Sequence, residues 1–458
     1  MTTMFARQHE LLEQISPFGL TGVVTGVAGL TVTADDLPVP VGSQCQIVRR
    51  TGRPLLGEVV GFKDSQTVIM PYDELVGVAR GDRVRCTSSL QHVPVGMSML
   101  GRVLDGFGQP VDGLGEICPQ DYYPLTNAAP SATTRKRITE PLGTGIRVID
   151  SLLTCGKGQR MGIFAGPGVG KSILLGMIAR YTSADVIVIG LVGERGKEVR
   201  DFLDRDLTEE GRKRAVVVVS TSDQSPVLRI RATMAATSIA EYYRDQGLNV
   251  LLLVDSLTRL AMAQRQIGLA AGEPPATKGY TPSVFAMLPK LLERAGQSDQ
   301  GSITGFYTVL VEGDDITEPV SDAVRGILDG HVWLSRSLAN RGHYPAISVL
   351  ESVSRVMPDV VDSPHRDVAS RIKRLIAIFN DVEDLVNIGA YVPGSNPEID
   401  LAVRTHPAID NFVRQGMRDR VLFGQAKKAL LELNAKIDQE AQNAHGKRSG
   451  SAQPAGKE

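Results

Sequence analysis

Residues 160–172 read Arg160-Met-Gly-Ile-Phe-Ala-Gly-Pro-Gly-Val-Gly-Lys-Ser172, and their reading decides the fold. Residues 161–165 predict a short buried strand, and 173–180 predict a helix. Between them, 165–172 match a phosphate-binding loop, with Ala165 where the strict pattern has its first Gly. Strand, Gly-rich turn and helix in that order are the context the motif requires. Gly166, Gly168 and Gly170 let backbone N–H groups converge on a polyphosphate. The helix N-terminus adds partial positive charge. Ala165, Gly166, Pro167, Gly168, Val169, Gly170, Lys171 and Ser172 are therefore the candidate nucleotide-binding residues. Lys171 is placed to reach the β- and γ-phosphates, and the Ser172 hydroxyl to ligate Mg²⁺.

Beyond the loop, segments 186–192, 215–220, 250–255, 302–311 and 331–334 are mostly Val, Ile and Leu. They predict strands of a parallel sheet buried on both faces, separated by helical patterns such as 225–246. Ligands of such sheets bind at the strands' carboxyl ends. Asp255 ends one such strand, where it is either a Mg²⁺-holding carboxylate or a helix cap, and the nearby phosphate loop favours the metal role. Glu194 follows the strand 186–192, placed either to activate water or as a solvated turn residue. Arg195 beside it has phosphate or a carboxylate as candidate partners. Arg355, by spacing alone, reads as one half of a surface salt bridge. Past about residue 365 the strands stop. Segments 366–380, 397–403, 406–414 and 424–440 carry helical spacing, which predicts a helical C-terminal domain. Residues 442–458 have the composition of a disordered tail.

Before the loop, 21–27, 30–33, 45–49, 55–62, 67–70 and 83–86 are short Val- and Ile-rich runs broken by Gly, Asp and Pro. They predict a small antiparallel barrel. Its few aromatics and scattered basic residues favour packing or ring formation over oligonucleotide binding. Residues 101–113 read as tight turns, and Arg135-Lys-Arg137 as a solvated basic loop. Residues 1–16 fit a short amphipathic helix, either a docking segment or fraying chain.

The whole chain of 458 residues is long enough for about three domains. A net charge of −1 gives no bulk attraction to nucleic acid or anionic lipid. Neither a membrane span nor a secretory signal is expected from the apolar runs. Cys45, Cys86, Cys118 and Cys155 are widely spaced and suggest reduced thiols rather than a zinc site.

Further blocks lie in order along the chain. They are Val192-Gly-Glu-Arg-Gly-Lys-Glu198, Val254-Asp-Ser-Leu-Thr-Arg259, Gly272-Glu-Pro-Pro-Ala-Thr-Lys-Gly-Tyr280, Leu291-Leu-Glu-Arg-Ala-Gly296, Glu312-Gly-Asp-Asp315 and Ile327-Leu-Asp-Gly-His331. With the phosphate loop, they make residues ~18–440 resemble a catalytic subunit of the rotary ATPase superfamily. Within it the chain is most similar to the ATPases of type III export, and among them to the flagellum-specific ATPases (the FliI family).

The resemblance implies three parts: an N-terminal β-barrel, a RecA-like α/β core with a mainly parallel sheet, and a C-terminal helical domain. The expected boundaries are a docking segment 1–17, barrel 18–88, ATP-binding domain 89–365, helical domain 366–440 and tail 441–458. It implies a homohexameric ring that hydrolyses ATP with Mg²⁺ at subunit interfaces. Glu194 matches the catalytic carboxylate, Lys171 and Ser172 the phosphate and Mg²⁺ residues, and Asp255 the second nucleotide motif. Arg355 matches an arginine finger entering a neighbour's site, and Tyr344 the aromatic that packs on adenine. Ser348 stands where rotary ATPases commonly carry Asp, whereas Ala165 is normal in the secretion branch. The implied partners are a stator-like regulator at the N-terminal segment, a central-stalk-like protein, the export gate, chaperones and export substrates. The implied location is cytoplasmic, peripheral at the inner face of the plasma membrane. An injectisome ATPase is the nearest alternative. A hexameric nucleic-acid translocase shares the core but is disfavoured by the charge pattern.

Overall fold

The computed structural model describes residues 19–131, 133, 135–311 and 318–450. The expected N-terminal docking segment and the block at 312–315 lie outside the described residues. The barrel consists of β1 (Thr21–Ala28), β2 (Thr31–Asp35), β3 (Gln44–Val48), β4 (Leu55–Lys63), β5 (Gln66–Pro71) and β6 (Arg83–Ser88). They close in the order β1-β2-β5-β4-β3-β6, which removes exposed strand edges. Alternate residues point inward, so Val32, Ile47, Val59, Ile69 and Val84 fill the lumen. The barrel seats on the next domain through Met70 and Tyr72, packed with Val227 and Ile267. Phe107 of that domain meets the Tyr72 ring edge-on at 5.2 Å between centroids, and the Arg231 guanidinium lies 4.4 Å from the Phe107 centroid.

The central sheet contains β7 (Val103–Leu104), β8 (Arg160–Ala165), β9 (Val186–Glu194), β10 (Ala215–Thr221), β11 (Asn249–Asp255), β12 (Ser302–Leu310), β13 (Gly330–Leu334) and β14 (Ile347–Ser354). Its order is β14-β13-β8-β12-β11-β9-β10-β7. From β13 to β7 all neighbours are parallel, as the unbroken apolar runs predicted. In β9, Ile187, Ile189 and Leu191 enter the core on one face, and Val186, Val188 and Val192 the core on the other. Two edges differ from the sequence reading. The turn-rich run at 101–113 contains β7, whose two residues are too few to show a period. Strand β14 is antiparallel to β13 and was not among the expected strands.

The basic triplet is also less free than expected. Arg135 pairs with Glu293 at 2.8 Å and pins its loop to the core.

The last domain is helical: α5 (Ser363–Asn387), α6 (Pro397–Val413) and α7 (Phe423–Gly450), numbered after four earlier helices named below. Asp362 caps α5 and Asn396 caps α6, each with Pro in the first turn. Helix α6 is one element where two were expected, running through Pro407, which lies on an exposed face. Helix α7 continues past residue 440 to Gly450, into the stretch expected to be disordered. The rest of that stretch, 451–458, lies outside the described residues.

Candidate active site

Strand β8 ends at Ala165, and helix α1 (Lys171–Tyr181) starts after five intervening residues. Gly170 precedes α1 with φ of +93°, a left-handed conformation costly for any other residue. An added Cβ there would sit 3.5 Å from the Tyr344 ring, so glycine also lets that ring lie against the loop. Arg336 donates from Nη1 to the Pro167 carbonyl at 3.3 Å, bracing the loop from outside; no spacing in the sequence signalled it.

Three charged groups expected from sequence converge at the sheet's carboxyl edge. Lys171 Nζ lies 2.5 Å from Asp255 Oδ1 and 3.4 Å from Glu194 Oε1. Burial alone would push the Lys171 pKa down, but these two carboxylates outweigh it and hold the ammonium above its usual range. Thr308 of β12 donates to Asp255 Oδ1 at 2.7 Å, a support that sequence reasoning missed. Asp255 is not the cap of α4 (Leu257–Ala270), the helix that follows it, because the Ser256 hydroxyl accepts from Arg259 N there instead. Helices α2 (Gly196–Asp201) and α3 (Pro226–Asp245) belong to the same domain.

Gly193 explains how Glu194 reaches this cluster. The pairing of β9 with β10 slips between Val192 and Glu194, and Gly193 has φ of +74°. An added Cβ would lie 2.8 Å from Arg259 Cβ. This bulge re-aims the next side chain. A lost ladder bond costs about 1 kcal/mol. Each fully buried aliphatic of β9 contributes about 1.5–3 kcal/mol, so the strand tolerates the irregularity.

Glu194 faces Glu198, which lies in the first turn of α2, so the two carboxyl groups titrate against each other. Burial is the main cause that pushes the Glu194 pKa up to about 7; Glu198 and Asp255 add to it and Lys171 opposes it. The more exposed Glu198 goes down, through the facing Glu194 carboxyl and the Arg195 backbone N–H. Glu194 is therefore the more readily protonated of the two. A base must be ionised, so activity should rise with pH through about 7. Glu198→Gln removes the like charge, so Glu194 should ionise more readily and the acid limb of the kcat/KM profile should move to lower pH. An unmoved limb would remove Glu198 from this role.

Tyr344 caps a largely apolar cavity of about 460 Å³ beside the loop, with Val169, Ile173, Met177, Pro345 and Met417 on its walls. Gln415 N donates to the Tyr344 carbonyl at 3.0 Å, tying the helical domain to this wall. The residues fit a nucleotide and a divalent ion. A flat base suits the cavity, a Cβ added at Gly168 would meet nothing within 4 Å, and the Ser172 hydroxyl is exposed. Asp255 keeps Oδ2 without a hydrogen bond among the described residues.

Two expected residues stand apart. Arg195 is exposed at the cap of α2, its charge acting on Glu198. Arg355 follows β14, whose Ser354 pairs with Gly330 at the amino end of β13. Strand β8 lies alongside β13, with Met161 against Gly330 and Ala165 against Leu334. At ~3.3 Å per residue, Arg355 sits more than a strand's length from the loop of its own chain. Its side chain is exposed and has neither an ion pair nor a hydrogen bond among the described residues, so the salt bridge suggested by spacing alone is not formed.

Comparisons with known proteins agree with these parts. Residues 24–88 match the beta-barrel domain of the ATP synthase alpha/beta family, and 145–354 its nucleotide-binding domain. Residues 361–432 match the T3SS EscN ATPase C-terminal domain. A flagellum-specific ATP synthase of Pseudomonas aeruginosa is 50% identical, covering 94% of this chain and 98% of its own. The SPI-2 type 3 secretion system ATPase of Salmonella typhimurium is 52% identical over 79% of this chain and 83% of its own. The assembled ATPase EscN of the enteropathogenic E. coli type III secretion system superposes with a TM-score of 0.84 at 42% identity, covering 90% of this chain and 99% of that one. EscN has also been solved in complex with its central stalk EscO, at a TM-score of 0.83 and 41% identity over 90% of this chain and 99% of that one.

Proposed function

This chain belongs to the flagellar and injectisome type III ATPases of the ATP synthase alpha/beta family, and from that premise we propose that it hydrolyses ATP to drive export of flagellar proteins. ATP hydrolysis follows from the family. The flagellar reading is supported by how much of this chain flagellum-specific relatives span: those of Pseudomonas aeruginosa and Bacillus subtilis cover 94% and 93% of it, against 90% for EscN and 79% for the SPI-2 ATPase of Salmonella.

In this reading Lys171 presents its cation to the phosphates, while Ser172 and Asp255 hold Mg²⁺, which would neutralise charge on the phosphate oxygens. Glu194 orients the attacking water and takes its proton. Tyr344 packs on the base. Arg355 of a neighbouring copy supplies a second cation, which makes the ring a requirement for turnover. The ring would be a homohexamer around a central-stalk-like protein. It would work at the inner face of the plasma membrane with a stator-like regulator, the export gate, chaperones and their substrates. No helix among the described residues is long and apolar enough to cross a membrane.

Deleting the gene in its own bacterium should abolish swimming and flagellar filaments. The unmodified chain should restore both, and Glu194→Gln should not. Normal swimming with loss of another secreted protein set would transfer the assignment to an injectisome.

A further inference from the structure

Two thiols meet inside the barrel. Cys45 of β3 stands directly opposite Cys86 of β6, as Ile47 stands opposite Val84. Val84 and Cys86 alternate with exposed Arg83, Arg85 and Thr87, while Cys45 and Ile47 are fully buried. All four side chains therefore share the inward face, and Cys86 packs against the cluster that contains Cys45.

The ladder chemistry fixes their spacing. The Cys86 N–H donates to the Leu20 carbonyl at 2.9 Å, on the side away from β3. Cys45 and Cys86 are thus a non-hydrogen-bonded antiparallel pair, the class with Cα atoms about 4.5 Å apart. A disulfide takes Cα separations of about 4.4–6.8 Å. The two sulfurs need only rotate within the barrel, with no backbone movement.

We propose that Cys45 and Cys86 form a peroxide-sensitive thiol pair that closes to a disulfide within the barrel. The thiols differ in access. Cys45 is enclosed, and burial together with the adjacent Cys86 pushes its pKa up to about 12, so it stays a thiol at neutral pH. Cys86 is half-buried and reacts first. Its thiolate attacks one oxygen of hydrogen peroxide, the O–O bond breaks, and hydroxide leaves and is protonated to water. Cys86 is then a sulfenic acid. The Cys45 sulfur attacks the Cys86 sulfur, the S–O bond breaks, and the departing hydroxide takes the Cys45 proton. Two thiols lose two electrons, peroxide gains them, and two waters form. A thiol reductant reverses the bond. The link ties β3 to β6 and closes a loop through β4 and β5, which restricts the unfolded barrel.

The test uses the full chain carrying Cys118→Ser, which removes the exposed thiol and its side reactions. After brief peroxide treatment and tryptic digestion without reductant, peptides 8–49 and 86–102 should appear joined through Cys45 and Cys86. Dithiothreitol should separate them. Cys86→Ser in the same background should give no linked peptide and leave Cys45 a free thiol. Recovery of Cys86 as thiol or sulfinic acid, without the joined pair, would overturn the proposal. So would a pair joined through Cys155.

Discussion

Arg355→Ala is expected to lower kcat by on the order of 10³-fold or more, the usual scale for losing an arginine finger. The folded chain should be unaffected, because the side chain is exposed and bonds to nothing among the described residues. Its backbone N–H still donates to the Asp329 carbonyl at 3.0 Å, a bond that alanine retains. Nucleotide binding by Lys171 and the Tyr344 cavity should also survive. The decisive measurement is mixing with Lys171→Ala, which removes the cation of the phosphate site and should be inactive alone. In mixed rings, an interface with the Arg355→Ala chain on the loop side and the Lys171→Ala chain on the finger side carries both groups. Random assortment of equal amounts gives about a quarter of such interfaces. Activity should recover to a corresponding fraction. Demonstrated mixed rings without recovery would place Arg355 outside a neighbour's site.

Glu194→Gln is expected to slow hydrolysis by roughly 10²-fold or more while leaving Mg-ATP bound. The amide keeps the size of the side chain and so the packing at the Gly193 bulge. It retains an oxygen that can accept from Lys171 Nζ, now 3.4 Å from Oε1. It loses only the ability to take a proton. Nucleotide binding and steady-state hydrolysis should be measured on one preparation. Hydrolysis within a few-fold of the unmodified chain would exclude Glu194 as the base. Loss of binding together with hydrolysis would mean that the residue holds Lys171 in position instead. The pH profile separates these further, because the acid limb near 7 belongs to Glu194 and should vanish in the variant.

Much of this architecture was legible from local chemistry. The phosphate loop needs a strand, glycines and a helix in one continuous stretch, so 160–172 carried its own context. The six barrel strands were legible because short Val- and Ile-rich runs are cut by the turn residues Gly, Asp and Pro. The buried parallel strands were legible because both their faces must be apolar. Strand β7 was hidden by its length of two residues, and β14 by its mixture of buried and exposed positions at a sheet edge. The single helix α6 was read as two, 397–403 and 406–414, whereas it runs unbroken through Pro407 on an exposed face.

Residue types and their spacing alone determined that Lys171 and Ser172 open a helix after a buried strand, and that Asp255 ends another. They also singled out Glu194, one residue past a third strand, without deciding between a base and a turn residue. Only the tertiary structure decided how these groups meet. Parallel order brings three strand ends to one edge, the Gly193 bulge turns Glu194 inward, and Thr308 arrives from the strand between. Only the antiparallel turn of β14 carries Arg355 to the opposite end of the sheet. The pairing of Cys45 with Cys86 is of the same kind. The reason is that sequence periodicity records which face of an element is buried, while register and strand order record which elements are neighbours. A charge or a thiol gains its chemistry from its neighbours.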